Sequence, residues 1–395
     1  MTRARILYLD VPFENESGGD KNRSRFLFQA LRENFDADLL LIGRAGASPK
    51  PAWIHFQPLA MFAPQPAPFP RPASTPSFAP ADREQFVALL REKKYDAVFC
   101  RFTIGWELLA LVREAVPGTA VVVDVDMVSS RLVALTWAAN PAFKKRWFLF
   151  EKWKLQHFER RLFREPWLFL FTNATELADV RDGVAPRPAA GEFALLPNIM
   201  PRGAAPVAVE RQRVILFFGS LDSSANVDGF QFLVDEVLPL IEADLKRHNV
   251  TIHIAGKNPP AAFAQRLLGR DCVKLVGPVD SIEHAIAESQ FVLLPLRIAS
   301  GTRTRILEAA AVGRAVVTTT IGAEGLDLGD TVWIGDTAQE LAAHTRRLLA
   351  DQPLADESGR RLRERSTALY AAGNVAVDLG VRLERFLSPQ NGGGR

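Results

Sequence analysis

Residues 290–328 read QFVLLPLRIASGTRTRILEAAAVGRAVVTTTIGAEGLDL. FVLLPL, from Phe291, is a short apolar run of the kind that forms a buried strand. IASGTRT is a loop of small residues. RILEAAAVG sets Ile306, Leu307, Ala310 and Ala311 on one side of a helix and stops at Gly313. AVVTTT is a second buried strand. Strand, glycine loop, helix and strand make a βαβ unit. Its loop opens a helix N-terminus, where unpaired N–H groups and the positive end of the helix dipole offer a seat for phosphate.

Working outward, the same rhythm fills the chain. The first strand, ARILYLDV at 4–11, feeds the Ser17-Gly18-Gly19-Asp20 turn and a helix at 22–32. Strands are expected at 37–42, 52–56, 95–100, 119–125, 167–171 and 192–196. Residues 58–80 are Pro-rich and read as an extended surface loop without regular structure. One helical region covers 129–164, broken near Pro141. The second half repeats the pattern, with strands at 213–218, 250–255, 272–276, 290–295 and 315–319 and a short one near Val332. Helices are expected at 227–244, 260–268, 280–288, 302–312 and 337–350, with a helical tail over 354–387.

Alternating strands and helices imply an α/β chain with parallel sheets and right-handed crossovers. LPNIMPRGAAPVAVERQR is the linker, so two Rossmann-like, doubly wound domains are expected: 1–198, then 213–375 after a linker at 199–212. Residues 376–395 form a C-terminal helix and tail that could pack back on the first domain. Open parallel sheets bind ligands at the carboxyl ends of their strands, which makes a cleft between the halves the default site.

The totals narrow the class. At 395 residues, 48% hydrophobic and 24% charged, the chain reads as a soluble protein of more than one domain. A net charge of +3 makes no whole-chain case for nucleic acid. Cys100 and Cys272 each lie in or beside apolar runs, with neither a disulfide framework nor a zinc spacing. The six histidines show no metal-ligand spacing. MTRARILYLD starts a strand directly, and no apolar run approaches the roughly 20 residues of a membrane span. A cytoplasmic location without cofactor or metal is the expectation.

Several residues stand out as candidates, each with a plainer alternative. Arg303 and Arg305 flank a helix start whose dipole they oppose, so either a phosphate or solvent faces them. Glu308 is a ligand group or the i+3 partner of Arg305. Gly18 and Gly19 bring backbone close to a phosphate, or simply turn the chain. Arg23, one turn on, could face the cleft. Asp124 and Asp126 end a buried strand, where active sites gather, or cap the next helix. Asn226 caps its helix or reaches a ligand. The stretch 143–164 interleaves aromatics with Lys and Arg, and is either a packing helix with a solvated face or a contact for the inner face of a membrane.

FFGSLDSSANVDGFQFLVDEVLP, AGKNPP and KLVGPVDSIEHAIAESQFVLLPLRIASGTRTRILEAAAVGRAVVTTTIGAEGL follow one another as in the C-terminal domain of family-4-type GT-B glycosyltransferases. The resemblance is greatest to the bacterial polysaccharide-biosynthesis branch and covers about 213–328. SGGDKNR, VVVDVDMVSSRL, FTNATEL and LPNIM sit where that family has its N-terminal motifs. The resemblance implies a retaining, hexosyltransferase-like enzyme. Its donor is a nucleotide diphosphate-sugar, its acceptor a glycan or lipid-linked hydroxyl, and its product a polysaccharide or glycoconjugate. It implies that Glu308 holds the donor ribose, that Gly301 and Thr302 meet the diphosphate, and that Glu324 lies near the donor. Ser300 stands where the family often has a glutamate. The loop after the first C-domain strand, with Gly219 and Ser220, lacks the usual Arg and Lys, so Arg297, Arg303 or Arg305 must serve. Arg101 occupies the strand end where some relatives carry a catalytic histidine. The alternatives are a non-catalytic chain that binds nucleotide or partners, or a nucleotide-sugar epimerase.

Overall fold

The computed structural model describes residues 3–11, 19–43, 60–67, 71–72, 75–102, 105–139, 146–184, 191–201, 210–298, 301 and 303–388. The chain forms two compact units. Unit 1 comprises Met1–Ser130, Lys145–Asn198 and Gly373–Arg395, and unit 2 comprises Arg131–Lys144 and Ile199–Ala372.

The first elements in chain order are β1 (Arg5–Asp10), α1 (Gly19–Asn34), β2 (Asp36–Ile42), β3 (Ala60–Phe62), α2 (Pro80–Lys93), β4 (Ala97–Arg101) and α3 (Trp106–Ala115). Next come β5 (Ala120–Val125), α4 (Ser129–Ala139), α5 (Arg146–Leu162), β6 (Leu168–Phe171), α6 (Ala174–Asp179) and β7 (Glu192–Leu195). The unit 1 strands make one parallel sheet in the order β3-β2-β1-β4-β5-β6-β7. Helices cover a parallel sheet on both faces, so its strands are apolar runs rather than alternations. β4, AVFCR, is buried along its whole length.

The strand foreseen at 52–56 falls outside the described residues. One expectation changes here. The Pro-rich stretch 58–80 is not merely a surface loop, because β3 pairs with β2, and Phe62, Thr75 and Phe78 are buried. Proline is tolerated at a sheet edge, where few ladder bonds are needed. The helical region 129–164 is two helices, α4 and α5.

Chain order continues with β8 (Val214–Phe218), α7 (Ser224–Phe232), α8 (Leu238–His248), β9 (Thr251–Ala255), α9 (Ala261–Arg266), β10 (Val273–Gly277), α10 (Ile282–Glu288) and β11 (Phe291–Leu294). It ends with α11 (Thr304–Val312), β12 (Val316–Thr318), α12 (Thr320–Ala323), β13 (Trp333–Ile334), α13 (Ala338–Ala350), α14 (Gln352–Tyr370) and α15 (Ala372–Leu387). The unit 2 sheet is parallel, in the order β10-β9-β8-β11-β12-β13. Ile215, Phe217 and Leu293 point to one face of it. Leu216, Phe218, Val292 and Leu294 point to the other, where Ile306, Leu307 and Ala310 of α11 cover them. Gly313 ends α11 in the left-handed region at φ 76°, a cap that glycine adopts without Cβ strain.

The helix expected at 227–244 is two, joined by a wide turn at Leu233–Val237 just ahead of Pro239, which has no N–H to donate. The tail expected as one helix is also two, because Ala371 is extended at ψ 131°.

Candidate functional site

In unit 2 the strand order reverses at β8 and β11, so the loops leaving these neighbours diverge and open a crevice at the sheet's carboxyl edge. Gly219 follows β8 directly. Its φ is 149°, and a Cβ there would stand 2.6 Å from Asn226 Nδ2 and 2.8 Å from Arg305 Nη1. Both neighbours are already engaged. Arg305 Nη1 donates to the Phe218 carbonyl at 2.9 Å and to Asn226 Oδ1 at 2.6 Å. Asn226 Nδ2 donates to the Ser220 carbonyl at 2.6 Å. Gly219→Ala is therefore expected to push this pair apart and to cost about 1–3 kcal/mol, read from urea unfolding of the full chain.

Asn226 does not cap its helix. Ser223 does, accepting from the Asn226 backbone N–H. Asn226 instead holds a guanidinium against the loop after β8.

That arrangement settles how Arg305 and Glu308 relate. The hydrogen bonds of Arg305 go across to β8 and α7, so the surface ion pair with Glu308 does not form. Among the described residues, nothing hydrogen-bonds or ion-pairs with the Glu308 carboxylate. Burial pushes its pKa up to about 7, and the Arg305 charge only partly offsets this. Burial likewise pulls Arg305 down to about 10. A half-buried carboxylate with unfilled lone pairs is costly to keep and suited to accepting hydroxyl donors.

Arg303 is the residue before α11, and its side chain has no acceptor with which to cap the helix. It is buried rather than solvated. Nε donates to the Ile321 carbonyl at 3.1 Å and Nη1 to the Gly301 carbonyl at 2.5 Å, while Nη2 lies 4.0 Å from Glu324. Arg131 Nη2 meets Glu324 at 2.5 Å. Glu324 thus neutralises two guanidinium groups beside α11. Arg297 is held by other partners, with Asp228 at 2.9 Å and Glu236 at 3.2 Å. Its charge is balanced within unit 2, which counts against a diphosphate role. Ser220 is exposed and donates to Asp222. Ser300, Thr302 and Gly18 lie outside the described residues, and Gly19 starts α1.

The unit 1 candidates form a separate, internal cluster. Register places Arg101 opposite Asp124 across β4 and β5. Asp124 is fully buried and receives Arg23 through Nη2 at 2.5 Å and Nε at 2.9 Å, with Arg101 Nε 3.5 Å away. Arg23 also donates to the Leu196 and Pro197 carbonyls and to Asn198 Oδ1. This corrects two expectations. Arg23 faces inward, tying α1 to β5 and to the end of β7, and Asp124 offers no surface to an acceptor. Asp126, next to Arg101 Nη2 at 3.4 Å, is the more exposed carboxylate.

Sequence reasoning passed over four members of this cluster, Tyr8, Asp10, Ser24 and Phe102. Asp10 accepts from the Tyr8 hydroxyl and the Val11 N–H, both at 2.7 Å, and also bonds Ser24, itself a partner of Arg101. Burial raises the Asp10 pKa to about 6, with Arg101 opposing the shift. Its signal was the one that marks Asp124, a carboxylate closing an apolar strand. Phe102, stacked against Arg101 at 4.1 Å, holds a left-handed φ of 60°, which is strained for a bulky side chain. β1 and β4 are where the unit 1 sheet reverses its order, so this cluster lies at the equivalent edge. Among the described residues no group of three or more His, Cys, Asp or Glu side chains could hold a metal ion.

Solved structures match nearly the whole chain. Sucrose-phosphate synthase from Thermosynechococcus elongatus superposes with a TM-score of 0.71 and 18% identity, over 98% of this chain and 100% of that one. HepE from Anabaena, solved with UDP and glucose, gives 0.66 and 14%, over 97% and 100%. The fold is GT-B. Within this GT-B chain, residues 212–351 match the model of the family described as Glycosyl transferases group 1, from β8 through the end of α13. The pneumococcal O-GlcNAc transferase GtfA, solved with UDP and GlcNAc, is also similar, with a TM-score of 0.65 and 9% identity over 98% and 99% of the two chains. Among curated proteins none matches in sequence.

Proposed function

We propose that this GT-B chain is a retaining glycosyltransferase. It takes a hexose from a nucleotide diphosphate-sugar and passes it to an acceptor hydroxyl in polysaccharide or glycoconjugate assembly. The observation that carries the proposal is Glu308, a half-buried carboxylate without a hydrogen-bond partner among the described residues. It stands one turn into the helix that opens at the strand reversal. Two vicinal ribose hydroxyls are the donors that such a carboxylate accepts. The match of residues 212–351 to a glycosyltransferase family model supports the same reading.

The leaving group is a diphosphate, so catalysis requires stabilising charge as it grows there. The N-terminus of α11 supplies N–H donors, and Arg305, bonded to neutral acceptors, adds positive charge without a metal. In a retaining reaction the donor phosphate can take the acceptor proton, so no carboxylate pair is required, unlike in glycosidases. Acceptor recognition is assigned to unit 1, where Asp126 and Arg101 end neighbouring strands.

Incubating the full-length protein with a panel of nucleotide sugars tests the proposal. UDP-sugars come first, because HepE and GtfA were solved with UDP. The expected result is slow hydrolysis of one donor. Binding without turnover would instead support a binding-only GT-B chain. One observation favours that second reading: Arg297 is consumed by Asp228 and Glu236. Neither binding nor turnover with any donor would sink both.

A further inference from the structure

The sequence of α5 mixes aromatic and basic residues, and packing sorts them. Leu155 and Leu162 are buried, and Glu151 and Glu159 turn inward with them. Glu151 meets Lys154 at 2.5 Å, and Glu159 accepts the Ser130 N–H at 3.0 Å. The opposite face is exposed: Leu149, Phe150 and Trp153 in its early turns, then His157, Arg160 and Arg161, with Arg164 just beyond the helix. At 3.6 residues per turn these positions fall within a sector of about 120°. Trp153 is 57% exposed and stacks on His157 at 6.0 Å, joining the apolar end to the cationic end. His157, Arg160, Arg161 and Arg164 line a groove of about 460 Å³. The carboxylate on its rim, Glu165, is taken by Arg113 at 2.6 Å.

We propose that this face of α5 docks unit 1 onto a bilayer surface containing anionic phospholipid. Among the described residues no helix is long and apolar enough to cross a membrane, so the contact is peripheral. Charge complementarity selects the occupant. Three arginines, whose groove carries Glu165 already paired with Arg113, fit phosphate headgroups, while Trp153, Phe150 and Leu149 fit the boundary between headgroups and acyl chains. Three half-exposed side chains offer about 300 Å² of apolar area, well short of the roughly 800 Å² per partner of a stable protein interface. The contact does not depend on what unit 2 binds.

Co-sedimentation of the full-length protein with vesicles tests it. Binding is expected to a phosphatidylcholine–phosphatidylglycerol mixture, to weaken with salt, and to be slight on phosphatidylcholine alone. Arg160→Glu combined with Arg161→Glu should lower partitioning about tenfold or more. Trp153→Ala should lower it by about fivefold to tenfold. Every substituted side chain is exposed, so circular dichroism and thermal melting should match the parent. Absence of binding to the mixed vesicles, or binding that both variants retain, overturns the proposal. So does a dimer in solution that Trp153→Ala dissolves, since the occupant is then a second copy.

Discussion

Glu308→Ala is expected to weaken donor binding by about 10²–10³-fold, the loss of two hydrogen bonds to an ionised group at about 1.5–3 kcal/mol each, less some replacement by water. Calorimetry with the nucleotide diphosphate of the active donor measures it directly. The raised pKa supplies a check that a merely structural residue would fail. With its folded pKa near 7 instead of the usual 4.5, Glu308 favours the protonated form in the folded chain. Its contribution to stability is therefore complete below about pH 4.5 and is lost as pH rises through 7. Glu308→Gln should then make the ligand-free protein more stable at pH 8, by up to about 3 kcal/mol, while still impairing binding. In the parent, donor affinity should fall as pH drops from 8 to 6, because the carboxylate must lose its proton to accept both hydroxyls. The glutamine variant should show no such slope. Unchanged affinity in Glu308→Ala would refute the ribose assignment.

Asp124→Ala should destabilise unit 1 by about 3–5 kcal/mol, measured by urea unfolding. The cost comes from what stays behind. Arg23 would keep its carbonyl and Asn198 acceptors but lose its counter-charge in a site with almost no solvent access. A total stability of about 5–15 kcal/mol makes this a large fraction. Asp124→Asn keeps the shape without the charge and should recover only a minor part. A shift under about 1 kcal/mol for the alanine variant would mean that the pair does not hold α1 to β5.

The βαβ unit at 290–328 was legible because its signals are local. Apolar runs define β11 and β12, helical spacing defines α11, and Gly313 ends it. The two-unit α/β plan followed from the same alternation repeated along the chain. Edge strand β3 escaped because a three-residue strand between prolines carries no period. The direction that α5 presents to solvent escaped for another reason, since aromatic and basic residues alternate too closely to show which side is packed.

The sequence by itself determined most strands and helices and the place of the loop before α11, because periodicity and turn chemistry act over a few residues. Only the tertiary structure decided which charges are spent inside the fold. Arg23 finds Asp124 across 101 positions, and Arg305 finds Asn226 across 79. Those pairings depend on sheet order, which brings distant strand ends together and removes their charges from water. Among the described residues they leave Glu308 a carboxylate without a hydrogen-bond partner at the strand reversal of unit 2.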